Sequence, residues 1–154
     1  METIVFALLL TLQAPPDPGQ DWPTFLGPDH NGISRETGLL PSWPESGPPV
    51  LWKRELGEGY AAPSVAGETM AILHRVGNEE VVEALDPKTG RPKWRFAYPT
   101  AYRDQFGYSN GPRSAPSIDS GKVYTLGAEG KLHCLELVTG RLVWSRSLYD
   151  EYFN

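Results

Sequence analysis

From residue 61 onward the chain alternates short apolar-rich runs with breaks that carry glycine. Four runs, Ala61–Ala66, Thr69–Val76, Glu80–Leu85 and Lys93–Tyr98, are followed by four more, Ser114–Asp119, Lys122–Gly127, Lys131–Leu137 and Arg141–Leu148. Each has the length of a β-strand and falls short of an ordinary helix. The breaks Ser120-Gly121, Ala128-Glu129-Gly130 and Val138-Thr139-Gly140 place glycine where a turn needs positive φ. In Asp86-Pro87-Lys88-Thr89-Gly90, proline sets φ for a type I turn and glycine closes it. Runs such as KVYTLGA and KLHCLEL do not alternate apolar and polar positions. That predicts sheets packed on both faces rather than sheets with one wet face.

The two sets of runs are copies. ALDPKTGRPKW at 84–94 aligns with CLELVTGRLVW at 134–144, pairing Leu85 with Leu135, Thr89-Gly90 with Thr139-Gly140, Arg91 with Arg141 and Trp94 with Trp144. Upstream, Ala62-Pro63-Ser64-Val65 aligns with Ala115-Pro116-Ser117-Ile118. A partial third copy is VLWKREL around Trp52. Four-stranded units of about 45 residues, covered on both faces, are the blades of a β-propeller. The expected fold is all-β: two four-stranded antiparallel blades, stacked face to face, plus one orphan outer strand at 50–56. The recurring Trp52, Trp94 and Trp144, each on the last strand of a unit, are expected to lie over the turn of a neighbouring blade. Gly90 and Gly140 are the turns they would meet.

Composition narrows the picture further. Gly 16 and Pro 15 are spread along the chain, which opposes a helix bundle. Hydrophobic residues at 40% and aromatic residues at 11% can fill a core, which opposes disorder. A net charge of −5 with no Lys/Arg stripe argues against a nucleic-acid partner. The single Cys134 rules out an internal disulfide; it takes the slot of Ala84 and is expected to be a buried, inert thiol. Residues 1–20 are expected to be a signal peptide and leader. The apolar run Ile4–Leu12 is short of the roughly 20 residues that span a bilayer. Residues 21–49 form a Pro/Gly-rich lead-in segment, and residues 50–154 hold the repeats.

The pattern ALD-x-x-TG-x-x-x-W after GKVY resembles the PQQ-like β-propeller repeat. Asp21-Trp22-Pro23-Thr24-Phe25-Leu26-Gly27-Pro28, Asn31-Gly32-Ile33-Ser34, Leu56-Gly57-Glu58-Gly59-Tyr60 and Asn110-Gly111-Pro112-Arg113-Ser114 are similar to segments of exported bacterial members. The family includes a BamB-type scaffold of outer-membrane barrel assembly and the quinoprotein alcohol dehydrogenases. The resemblance implies a closed ring of about six to eight blades. Two units are present, so the chain is expected to be the N-terminal part of a longer protein. The apolar run Ile4–Leu12, read as a signal peptide, predicts a periplasmic or extracellular location.

Residue chemistry adds no reaction. Gly107-Tyr108-Ser109-Asn110-Gly111 matches G-x-S-x-G, but a nucleophile elbow needs a helix after the serine, and Pro112 and Pro116 follow. Gly57-Glu58-Gly59-Tyr60-Ala61-Ala62 precedes Pro63 and a strand, not the helix a pyrophosphate needs. His30, His74 and His133 have no metal-ligand spacing, and Asp29-His30-Asn31-Gly32 reads as an Asx-type turn. No catalytic or metal residue is assigned, and no cofactor is evident. The expected function is a non-catalytic binding or scaffolding module, with a protein or the remaining blades as partner and no transmembrane span. The alternative is part of a PQQ-dependent dehydrogenase; the resemblance would then imply PQQ and Ca²⁺, with no ligand placed in this chain. The insertion YPTAYRDQFGYSNGPR joins the units with more chain than a short turn needs. Its Tyr102, Arg103, Phe106, Tyr108 and Arg113 are the candidate partner contacts.

Overall fold

The breaker spacing sets where each strand can start and stop. The computed structural model describes residues 21–153; the expected leader at 1–20 lies outside them. The first sheet contains β1 (Ser64–Ala66), β2 (Thr69–Val76), β3 (Glu79–Leu85) and β4 (Pro92–Pro99). The second contains β5 (Ser117–Asp119), β6 (Lys122–Leu126), β7 (Lys131–Glu136) and β8 (Leu142–Ser147), followed by a short helix α1 (Leu148–Tyr152). Each is a four-stranded antiparallel meander in chain order.

Several expected boundaries move, most of them by one residue. β1 and β5 have only three residues each, because the ladder begins after Pro63 and Pro116; proline has no N–H to give a neighbouring strand. Leu148 opens α1 instead of ending β8. Ser147 caps that helix, its Oγ accepting from the Asp150 N–H at 3.3 Å. The orphan segment around Trp52 lies outside any sheet; its one backbone bridge pairs Glu58 with Arg75.

The copies share detail that strand lengths alone would not require. In both, the register of the third and fourth strands shifts at the same place, Ala84/Leu85 and Cys134/Leu135. In both, the turn that follows closes with the same backbone bond, Gly90 N–H to Asp86 O and Gly140 N–H to Glu136 O, each 2.8 Å. The central strands are covered on both faces: five consecutive residues of β2, Ala71–Arg75, are buried. Ala71, Leu73 and Val82 of the first sheet meet Ile118, Val123 and Leu135 of the second, with Trp94 and Phe96 packed at the edge of that layer. Burial of these side chains is the main force holding the sheets face to face.

The lead-in segment clamps the inner edge. Trp22 exchanges two backbone hydrogen bonds of 2.9 Å with Val65 of β1, and Pro23 O accepts from the Ile118 N–H of β5 at 2.8 Å. One short extended stretch thus holds the first strands of both sheets. Downstream of it, residues 28–46 are exposed and carry no strand. Among the described residues no helix is long and apolar enough to cross a membrane.

Candidate functional site

The tryptophans and glycines form two matching contacts. The Trp94 Nε1–H donates to Leu137 O at 2.8 Å, and the Trp52 Nε1–H donates to Pro87 O at 2.9 Å. Each indole lies flat on the glycine that ends the turn. A Cβ on Gly140 would come within 2.5 Å of the Trp94 ring, and one on Gly90 within 2.7 Å of the Trp52 ring. Both glycines also hold φ near +70°, at 69° and 68°. Trp144 occupies the same strand position but has no such turn beneath it among the described residues. It is 38% exposed and leans on Tyr124 with ring centroids 6.1 Å apart.

The insertion after β4 is a structured loop with an internal scaffold. Arg75 is buried to 2% exposure at the end of β2. Its Nη1 donates to Tyr102 O at 2.7 Å and Asn110 O at 3.0 Å, and its Nε donates to Gly77 O at 2.7 Å. One guanidinium therefore ties both ends of the loop to the sheet. Asp104 organises the interior: it accepts from the Tyr108 N–H at 2.7 Å and from Arg113 Nη2 at 2.9 Å. Those bonds, the backbone one first, hold its carboxyl below the usual aspartate range. Glu58 accepts from the Asn110 N–H at 3.2 Å, so the Trp52 segment braces the loop from the other side.

The candidate contact residues then divide. Tyr102 and Arg113 belong to the scaffold, with the Arg113 guanidinium 5.9 Å from the Tyr102 ring centroid. Phe106 and Tyr108 point outward at 81% and 74% exposure, their ring centroids 6.4 Å apart. Arg103 is exposed and lines a shallow groove of about 490 Å³ with Thr100, Glu129 and Lys131. Sequence reasoning missed Arg75 and Asp104. An arginine inside an apolar strand, TMAILHRV, was the available signal for Arg75.

The histidines lie in separate environments. The Gly57 N–H donates to His74 Nδ1 at 2.8 Å, which leaves the proton on Nε2, 3.7 Å from Glu83 Oε2. Burial lowers the His74 pKa against the pull of Glu83. His133 stacks on Tyr98 at 4.1 Å between the sheets, and burial lowers its pKa to about 4. Cys134 is fully buried. Ser109 sits in the loop, where its Oγ accepts from the Gly111 N–H at 3.2 Å. Gly57 and Gly59 press against strand and loop backbone: a Cβ on Gly57 would sit 1.8 Å from Arg75 O, and one on Gly59 2.9 Å from Pro112 O. Neither glycine opens a helix. Calcium-held quinone needs several converging carboxylate and amide oxygens. Among the described residues no group of three or more His, Cys, Asp and Glu side chains could hold a metal ion.

The family described as "Outer membrane protein assembly factor BamB" matches residues 33–152. The chain belongs to this family of PQQ-like repeat proteins. Its two sheets are accordingly propeller blades, and the Trp-on-glycine contacts lie between neighbouring repeats. Among solved structures, the chain is similar to a europium-containing methanol dehydrogenase at 24% identity and a TM-score of 0.44, covering 60% of this chain and 16% of that one. It is similar to BamB from Moraxella catarrhalis at 25% identity and a TM-score of 0.38, covering 59% and 23%. It is also similar to the quinohemoprotein alcohol dehydrogenase from Comamonas testosteroni at 25% identity and a TM-score of 0.43, covering 63% and 14%. The chain thus spans less than a quarter of each of these proteins. No curated protein matches it.

Proposed function

We propose that this chain is a non-catalytic, exported β-propeller segment that acts as a protein-binding scaffold. Its role would be in the assembly of outer-membrane proteins, the activity named for its family. The observation that carries the reading is the insertion between the blades. A loop whose backbone is held by buried Arg75 and by Asp104 presents two neighbouring aromatic rings, Phe106 and Tyr108, to solvent. Exposed aromatics on a preordered loop bind with little loss of conformational entropy and favour apolar pockets on a protein partner. The reading places the protein in the periplasm or at the cell surface, in keeping with the apolar run Ile4–Leu12. It also makes the two blades part of a larger ring.

The test is site-specific photo-crosslinking in cells, with the reactive group at position 106 or 108 and, as control, at position 88 on the Asp86–Gly90 turn. A discrete crosslinked outer-membrane assembly protein from 106 and 108, absent from 88, is expected. Equal, diffuse products at all three positions would overturn the reading. So would stoichiometric binding of PQQ with Ca²⁺ and turnover of an alcohol, which would make the quinoprotein dehydrogenase the better account.

A further inference from the structure

The layer between the blades contains a polar cluster that apolar packing does not explain. Ala71 pairs with Ala84 in the first sheet, and Tyr124 pairs with Cys134 in the second. Counting from these equivalent pairs, Gly127 stands where His74 stands in the first blade. The space left by the missing side chain is filled from across the interface. A Cβ on Gly127 would lie 2.0 Å from Glu80 Oε2 and 2.6 Å from Tyr98 Oη. Glu80 Oε1 accepts from the Ala128 N–H at 2.8 Å, which anchors one carboxylate oxygen. The other oxygen makes no well-formed hydrogen bond within the chain, and neither do Tyr98 Oη, Thr125 Oγ1 and His133 Nδ1, although burial and the adjacent Glu80 carboxylate together push the Tyr98 hydroxyl's pKa up.

The four residues are linked by strand pairing and ring stacking. Glu80 faces Tyr98 across β3 and β4, Thr125 faces His133 across β6 and β7, and the Tyr98 and His133 rings stack between the sheets. Their residues are 0%, 7%, 1% and 6% exposed. Together they supply a carboxylate acceptor, two hydroxyls that both donate and accept, and an imidazole nitrogen. Buried polar groups are almost always satisfied, and water is the usual agent where protein partners are missing. We propose that the blade interface holds a closed hydration site in which about one or two ordered water molecules bridge Glu80, Tyr98, Thr125 and His133. Lys131 covers it: its Nζ lies 5.9 Å from the Tyr98 ring centroid and is held there by Pro99 O at 2.7 Å and Glu129 at 3.0 Å. The site depends only on the packing of the two blades, not on the scaffold reading.

Oxygen-17 magnetic relaxation dispersion on the purified chain tests this, because it counts water molecules that exchange slowly with solvent. The wild type should show a dispersion step from internal water. Thr125→Val, which keeps the shape and removes the hydroxyl, should reduce that step, and Thr125→Val with Tyr98→Phe should abolish it. Thr125→Ser should retain it, and Lys131→Ala should shorten the residence time of the same water. Circular dichroism establishes that each variant is folded; if the double variant is not, Thr125→Val and Thr125→Ser alone decide. No dispersion step in the wild type, or a step unchanged by Thr125→Val, would overturn the proposal. So would a crystal structure in which Tyr98 bonds directly to Glu80 and Thr125 to His133.

Discussion

Trp94 lies flat on Gly140, with its indole N–H on the Leu137 carbonyl at 2.8 Å and no room for a Cβ between ring and backbone. The contact joins the last strand of one blade to the last turn of the next, and Trp52 repeats it on Gly90. Two separate demands fall on each glycine: a left-handed φ and a bare Cα.

Gly90→Ala and Gly140→Ala should therefore each cost more than an alanine at a left-handed position alone. Gly67, at φ 54° with nothing within 4 Å of a built Cβ, supplies the reference. Gly67→Ala should cost about 1–2 kcal/mol from the φ penalty. The two turn variants should add about 1–3 kcal/mol for displacing the indole. Urea denaturation of the three variants measures the difference, and equal costs would show that the rings do not constrain the turns.

The tryptophans should not behave alike. Trp94→Ala should lose about 3 kcal/mol, the lower end of the range for truncating a large aromatic, because the ring is partly buried against the core and over Gly140. Trp144→Ala should lose about 1 kcal/mol or less in this chain, because the residue is 38% exposed and no glycine turn lies beneath its ring among the described residues. Chemical denaturation of both variants checks the asymmetry, which the sequence repeat alone does not predict.

Acid should weaken the blade interface through His133. Its pKa is about 4 in the folded chain against 6.5 for the free group, so the unfolded chain takes up the proton first as pH falls. The resulting stability is fully present above about pH 6.5 and is lost progressively down to about pH 4, about 3 kcal/mol in all. Denaturant midpoints at pH 7, 5.5 and 4.5 should fall in the wild type and change less in His133→Gln. Parallel curves would show that His133 does not carry the effect.

Arg75→Met should release the insertion while leaving the sheets folded. Lost bonds from a charged donor are worth about 1.5–3 kcal/mol, so proteolysis within residues 103–109 should accelerate about tenfold or more. Mass mapping of the first cleavage products, with circular dichroism for the strands, reads both effects. Unchanged cleavage would mean that Asp104 and Glu58 alone hold the loop.

Strand number, order and turn positions were legible because they follow from local chemistry. Gly and Pro mark the breaks, and each Thr-Gly-x-x-x-Trp motif pairs a turn with the strand after it. The family followed from the same repeated residues. The short β1 and β5 were less legible, since Pro63 and Pro116 lie inside apolar runs that read as longer strands. The sequence could not separate Tyr102 and Arg113, which hold the loop, from Phe106 and Tyr108, which face solvent; that division depends on Arg75 and Asp104.

What the sequence by itself determined is the meander of each blade, because antiparallel neighbours adjacent in the chain need only short turns and apolar runs. What only the tertiary structure decided is which side chains meet across the gap between blades. Glu80 belongs to one repeat and Gly127 to the next, and nothing in either run reveals that the carboxylate fills the space beside that glycine. Such contacts depend on the angle and distance at which two sheets dock, quantities set by the packing of all their side chains together.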